Sequence, residues 1–167
     1  GAIQDTNEAA TQVALRKWRE ILNPDALKRA NLVEGQKLFT MSCGACHKLY
    51  GAGGTIGPDL TGAGRQDLNY LLENILFPSA VVPAEFRQAT LSMKDGRILS
   101  GLIRERNPNA VVLEMIGETI TIGRPDIEEE TTSTLSIMPE GQLDAISETN
   151  TIDLFGFLMS TAPPDVQ

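Results

Sequence analysis

The sequence predicts a mainly α chain interrupted by a small antiparallel β-sheet. Three observations predict it. Apolar residues recur at helical spacing in stretches of the first eighty residues and again after residue 140. From about Glu85 to Thr134 the pattern changes to short runs rich in Val, Ile, Leu and Thr, punctuated by turn signals. Both cysteines and the only histidine sit in one short stretch, Cys43-Gly44-Ala45-Cys46-His47, directly after a predicted helix. The division that follows is a helical extension or linker over 1–30 and a domain over 31–167, with 83–135 as the β insertion.

Taken in order, "TNEAATQVALRKWREIL" places Val13, Leu15, Trp18, Ile21 and Leu22 close to a helical stripe and ends at Asn23-Pro24, a stop signal. Its opposite face mixes both charge signs, so it reads as a docking or linker helix, with Trp18 a packing residue. "DALKRANLVEGQKLFTMSC" reads as helix in one or two pieces, packed through Leu32, Gln36, Leu38 and Phe39. "GAGGTIGPDLTGAG" is too rich in glycine for a helix and reads as a long loop. "RQDLNYLLENILFPS" is a short helix closed by Phe77-Pro78. Asp95-Gly96, Asn107-Pro108-Asn109 and Gly117-Glu118 then divide the β segment into four or five antiparallel strands, a small sheet or partial barrel. A last helix, capped by Ser147 or Thr149, runs through Met159, and "APPDVQ" is a frayed tail.

Composition narrows the function classes. With 41% hydrophobic and 22% charged residues, the 167-residue chain can build a packed core. Aromatics make up only 5%, a gap in flat buried area that a bound planar cofactor would fill. The formal charge is −8, without a basic stripe that could neutralise phosphates, which excludes nucleic acid as a partner. No apolar run reaches the roughly 18–20 residues of a membrane span. Gly1 in place of Met suggests a processed or trimmed chain, so the lack of an export signal leaves the compartment open.

Cys-x-x-Cys-His has a direct chemical logic. On one helical turn the thiols of Cys43 and Cys46 share a side, within reach of the two vinyl groups of a haem, and His47 presents its imidazole to the iron. The spacing is that of c-type haem attachment, and His is a standard axial ligand. Three other readings compete. Zinc needs about four ligands, and no further Cys or His exists to complete them. A thioredoxin-like pair expects a preceding strand, and a structural disulfide leaves His47 without a role. For the opposite face of the iron, a second histidine is unavailable, which leaves five methionines. Met41 is tied to the proximal side, Met93 and Met115 lie in predicted strands, and Met159 ends the last helix. Met138 lies in an irregular stretch held out of helical geometry by Pro139, and is the expected sixth ligand.

These motifs together resemble a class I cytochrome c. "GQKLFTMSCGACH", with Gly35 and Phe39 four apart, is similar to the family's first helix. "IDLFGFL", with Leu154 and Phe157, is similar to its last. "IGPDLTGAGR" resembles the loop beneath the proximal ligand and "SIMPEG" the Met-ligand loop. The resemblance covers about residues 30–80 and 135–160 and implies a cytochrome c fold around one covalently attached haem c, with the β insertion as a departure. More narrowly, "GPDLTGAGRQDLNYLLENILFPSAVV", "DGRILSGLI" and "SIMPEG" resemble a haem-binding domain of planctomycetes and verrucomicrobia that often follows dehydrogenase-like domains. Carried across, the resemblance implies that the Pro58 carbonyl accepts the Nδ1 proton of His47 and that Gly57 lets the backbone pass close to the haem. It also implies that Arg65 reaches a haem propionate, the alternative being a solvated loop arginine. Tyr70 and Asn74 are further candidates for the propionates or the Met side. Phe39, Leu60, Leu68, Leu71, Leu72, Ile75 and Phe157 line the cofactor.

The functional expectation is an electron carrier rather than an enzyme, with His47 and Met138 as iron ligands, relaying electrons between a dehydrogenase (a redox partner or a fused domain) and an acceptor. The alternative is a haem-based ligand sensor or peroxidase-like domain in which Met138 is labile. A third reading makes the β insertion a binding surface for a partner domain, or a lid over a haem edge; Glu128-Glu129-Glu130 speaks against nucleic acid there. Thioether chemistry takes place outside the bacterial cytoplasm, so a periplasmic or extracytoplasmic location follows from the motif.

Overall fold

The computed structural model describes residues 2–165, with side chains from residue 7 onward. They form two compact units. One comprises the chain up to Cys43, Leu60–Phe77 and the chain from Gly141; the other comprises Gly44–Asp59 and Pro78–Glu140.

The first unit is helical. α1 (Ala2–Ile21) buries Leu15, Trp18 and Leu22 and packs along α4 (Leu68–Leu76). Val13, expected on the same stripe, is 63% exposed. At 100° per residue, positions 13 and 15 point in nearly opposite directions, so one helix face cannot hold both. Asn23-Pro24 ends α1 and also starts α2 (Pro24–Lys28): Asn23 Oδ1 accepts the Ala26 N–H at 3.0 Å and Pro24 occupies the first turn. α3 (Leu32–Ser42), capped by Asn31, crosses α5 (Glu148–Leu158), capped by Ser147. A Cβ on Gly35 would strike the Asp153 carbonyl and lie 2.8 Å from Phe157 Cβ, so only glycine permits this approach. Phe39 and Phe157 fill the crossing with ring centroids 5.6 Å apart, and Phe155 and Leu158 are sealed beside them.

The second unit is built on a five-stranded antiparallel sheet: β3 (Arg87–Met93), β4 (Ile98–Arg106), β5 (Ala110–Met115), β6 (Glu118–Gly123) and β7 (Ile127–Ser136), in spatial order β6-β5-β4-β3-β7. β4 serves two partners: residues 98–101 pair with β3 and 102–106 with β5. Gly101 stands at the changeover, where a Cβ would meet the Glu114 carbonyl. Leu91, Met93, Leu113 and Ile122 form the sheet's buried cluster, flanked by Leu99, Ile103, Met115, Ile120 and Ile127. The turns fall where Asp95-Gly96 and Asn107-Pro108-Asn109 were read, and at Ile116-Gly117, with Gly96 and Gly117 at positive φ.

Helices account for 38% of the chain and strands for 26%, which corrects the expected mainly α class to a mixed one. The insertion's strands run six to ten residues and are separated only by short connections between 87 and 136. A second, very short pair joins β1 (Lys48–Leu49), just before the glycine-rich stretch expected to be a loop, with β2 (Ala52–Gly53) inside it. Tyr50 and Gly51 form its two-residue turn at positive φ. The predicted tail carries no helix or strand through residue 165, and its positions 166 and 167 lie outside the described residues.

Candidate haem site

α3 closes at Ser42, and Cys43 caps it by donating its N–H to the Phe39 carbonyl at 2.8 Å. The motif therefore runs through a turn rather than along a helical turn, and the division between the two units falls between Cys43 and Gly44. Neither cysteine is in a disulfide, and both are half-buried. Burial pushes the Cys46 thiol above its ordinary pKa. A dithiol oxidoreductase needs the opposite shift, because the thiolate is its nucleophile. Among the described residues no group of three or more His, Cys, Asp and Glu side chains could hold a metal ion, which leaves the zinc reading without a ligand set.

The chain after His47 folds back on the motif through its glycines. Gly54 N–H donates to the Gly44 carbonyl at 2.8 Å and Gly57 N–H to the Cys46 carbonyl at 2.7 Å. His47 Nδ1 lies 2.8 Å from the Pro58 carbonyl oxygen. A carbonyl can only accept, so Nδ1 carries a proton, and it is the Nε2 lone pair that the ring can offer to a metal. A Cβ on Gly57 would stand 2.6 Å from His47 Cε1 and 2.8 Å from Nδ1. The close neighbour that demands glycine at 57 is thus the imidazole itself.

Met138 is half-buried in the bend after β7, its N–H bonded to the Ser136 hydroxyl at 3.1 Å. Of the other methionines, Met93 is buried in the sheet cluster, Met115 packs against it, Met159 caps α5, and Met41 is 81% exposed. In the helical unit Phe39 is buried and Leu60 half-buried. Tyr70 and Asn74 lie on the exposed side of α4, where Asn74 Nδ2 donates to the Tyr70 carbonyl at 2.8 Å.

Arg65 is only 6% exposed, which removes the solvated-loop alternative. Its guanidinium donates to the carbonyls of Leu60 (2.8 Å), Thr61 (3.2 Å), Leu158 (2.5 Å) and Ser160 (2.9 Å), fastening its own loop to the end of α5. A residue that sequence reasoning missed is Arg104 on β4. It is bonded to the Glu114 carboxylate and to the carbonyls of Thr55 and Ile56, in the segment leading to Pro58. A strand arginine facing a carboxylate carries no signal that distinguishes it from an ordinary surface pair.

Residues 32–84 match the family model described as Cytochrome c. The match takes in α3, the Cys-x-x-Cys-His motif, the glycine-rich loop and α4. It supports a class I cytochrome c domain and, with it, haem binding and electron transfer. It stops before the five-stranded sheet and does not reach Met138 or α5. The comparison with curated proteins finds no match. No helix among the described residues is long and apolar enough to cross a membrane.

Proposed function

We propose that this chain is a c-type cytochrome domain that carries single electrons, with one haem c attached through Cys43 and Cys46 and ligated by His47 and Met138. The observation that carries the reading is the His47–Pro58 hydrogen bond: with the Nδ1 proton committed to a carbonyl, Nε2 is left as a ready metal donor in the same five-residue motif as Cys43 and Cys46, neither of which is in a disulfide. The haem iron, when bound, supplies a one-electron ferric–ferrous couple. His47 holds its ring in a single tautomer and orientation through Pro58, and Gly57 leaves room for that ring. Met138, as a thioether, favours the ferrous form relative to a second histidine. Phe39 and Leu60 would help to keep water from the cofactor, and Tyr70 and Asn74 would offer it polar contacts. Arg65 holds its own loop to the end of α5 through the carbonyls it binds.

If His47 and Met138 both hold the iron, no open position for a substrate would remain, so the role proposed is relay rather than catalysis. We take the donor to be a dehydrogenase, as a partner or a fused domain, and the place of maturation to be extracytoplasmic. The planctomycete-type resemblance of the sheet region motivates the donor. The test is direct: purified protein from a haem-maturing host should be red and heavier by the ~616 Da of a thioether-linked haem. Met138→Ala should keep that mass while allowing carbon monoxide to shift the ferrous Soret band. A colourless wild type ends the proposal, and a Met138→Ala spectrum unchanged by carbon monoxide assigns the sixth ligand elsewhere.

A further inference from the structure

The β insertion and the loop that supports His47 belong to the same compact unit, and one side-chain cluster ties them together. Arg104 Nε donates to Glu114 Oε2 at 2.5 Å across the β4–β5 pair. Its Nη2 reaches the Ile56 carbonyl at 3.2 Å and the Thr55 carbonyl at 3.4 Å. The Thr55 hydroxyl closes the ring by donating to Glu114 Oε1 at 2.8 Å. Phe86 lies under the guanidinium, with the charge centre 5.6 Å from the ring centroid. Glu114 is 9% exposed and Ile56 5%, so the cluster is sheltered on its carboxylate and loop sides.

The next two residues of the loop are the ones that meet the proximal site: Gly57 bonds the Cys46 carbonyl, and Pro58 accepts the His47 proton. The segment before them contains Gly51, Gly53 and Gly54. A backbone so rich in glycine loses more conformational entropy on ordering than any other, and does not hold a carbonyl in place unaided. Arg104 binds two consecutive carbonyls of that segment while its Nε is locked onto a carboxylate. Only a planar guanidinium fork with several fixed donors can do this; an ammonium cannot.

We propose that Arg104, Glu114 and Thr55 form a positioning clamp for the axial histidine, through which the β insertion sets the electron-donating strength of His47. The proposal rests on the reading of His47 as a haem ligand. The clamp fixes residues 55–58, the fixed Pro58 carbonyl draws on the Nδ1 proton, and a strongly held proton makes Nε2 the better donor. A better donor favours ferric iron. Loosening the clamp therefore weakens the Pro58 bond and shifts the couple toward the reduced form.

The test uses the haem-loaded protein and two variants that leave formal charge unchanged, Arg104→Lys and Thr55→Val, so that any shift reports position and not a lost charge. Arg106→Lys, at the Arg106–Glu130 pair further along β4, is the control. At fixed potential the reduced-to-oxidised ratio in the two clamp variants should rise about threefold, about 28 mV at 59 mV per decade for one electron. Hydrogen exchange of the Gly57 amide, which donates to the Cys46 carbonyl, should quicken about tenfold, equivalent to about 1.4 kcal/mol of local opening free energy. The control should move neither. Haem-replete clamp variants with unmoved potential and exchange, or a control that moves as far, overturn the clamp. A wild type without covalent haem overturns the functional reading and the clamp with it. Should Arg104→Lys fail to fold, Thr55→Val alone decides, since it replaces the hydroxyl that donates to Glu114 with a methyl group of similar size and leaves the Thr55 carbonyl in place.

Discussion

Consider Gly57→Ala. The added methyl group would stand 2.6 Å from His47 Cε1, 2.8 Å from Nδ1 and 3.1 Å from the Cys46 carbonyl oxygen. Carbon atoms in ordinary contact sit about 3.5–4.0 Å apart, so the imidazole has to retreat by about 1 Å. That displacement breaks the 2.8 Å hydrogen bond between Nδ1 and Pro58. Overpacking costs about 1–3 kcal/mol, and the lost bond about 0.5–1.5 kcal/mol. The expected loss is about 2–4 kcal/mol on those two ranges, read as a lower urea midpoint with an unchanged slope. In the haem-loaded protein the His47 ring-proton resonances should shift as well. Gly62 supplies the comparison: a Cβ there meets nothing within 4 Å, and Gly62→Ala should change stability by less than about 0.5 kcal/mol. If Gly57→Ala proves as stable as Gly62→Ala, with an unmoved imidazole, then the glycine is not there for the ring and the account of the proximal loop is wrong.

The helix crossing should be equally sensitive. Phe157→Ala removes a ring that is 2% exposed and packed on Phe39, at an expected 3–5 kcal/mol in equilibrium unfolding, about the range for buried aromatics; a loss under about 1 kcal/mol would contradict the packing. Acid should act on the sheet. Burial opposes ionisation of Glu114, but hydrogen bonds from Arg104 and Thr55 outweigh it and hold its carboxyl below the ordinary value. The Arg106 hydrogen bond does the same for Glu130 against a smaller burial effect. Lowered folded-state values mean that this stability is present above the ordinary carboxyl value of 4.5 and is lost as pH falls through the folded values. The unfolding midpoint should thus hold between pH 7 and 5 and decline below 4.5, with a shallower decline in Glu114→Gln; identical slopes for variant and wild type would refute the assignment.

How legible this was depended on distance along the chain. The Cys-x-x-Cys-His motif is contiguous, so its chemistry needs no fold to be recognised. The His47–Pro58 contact spans eleven residues of loop, and the family resemblance was enough to anticipate it. The start of the last helix was legible because a cap is local: Ser147 accepts from the Asn150 N–H three residues on. Asn23, expected only as a stop, and Asn31 and Asp67, not expected as caps, do the same for their helices. Hairpins were legible for the same reason. The short β1–β2 pair escaped because its turn uses Tyr50 at positive φ, a conformation that tyrosine does not advertise. The anchoring of Arg65 on the carbonyls of Leu158 and Ser160 bridges more than ninety residues, and nothing in "GAGR" encodes it.

By itself, then, the amino-acid order determined the types of the elements, the places where they start and stop, and the chemistry of residues 43–47. Each of these is settled by groups within a few residues of one another, where hydrogen bonds and side-chain periodicity act without long loops to close. Tertiary structure alone decided which carbonyls Arg65 and Arg104 bind, why Gly57 faces an imidazole, and how Gly35 lets α3 meet α5. Those choices follow from packing among segments far apart in the chain. An arginine fork or a missing Cβ acquires its role only when the distant backbone it serves has been brought into hydrogen-bonding or van der Waals reach.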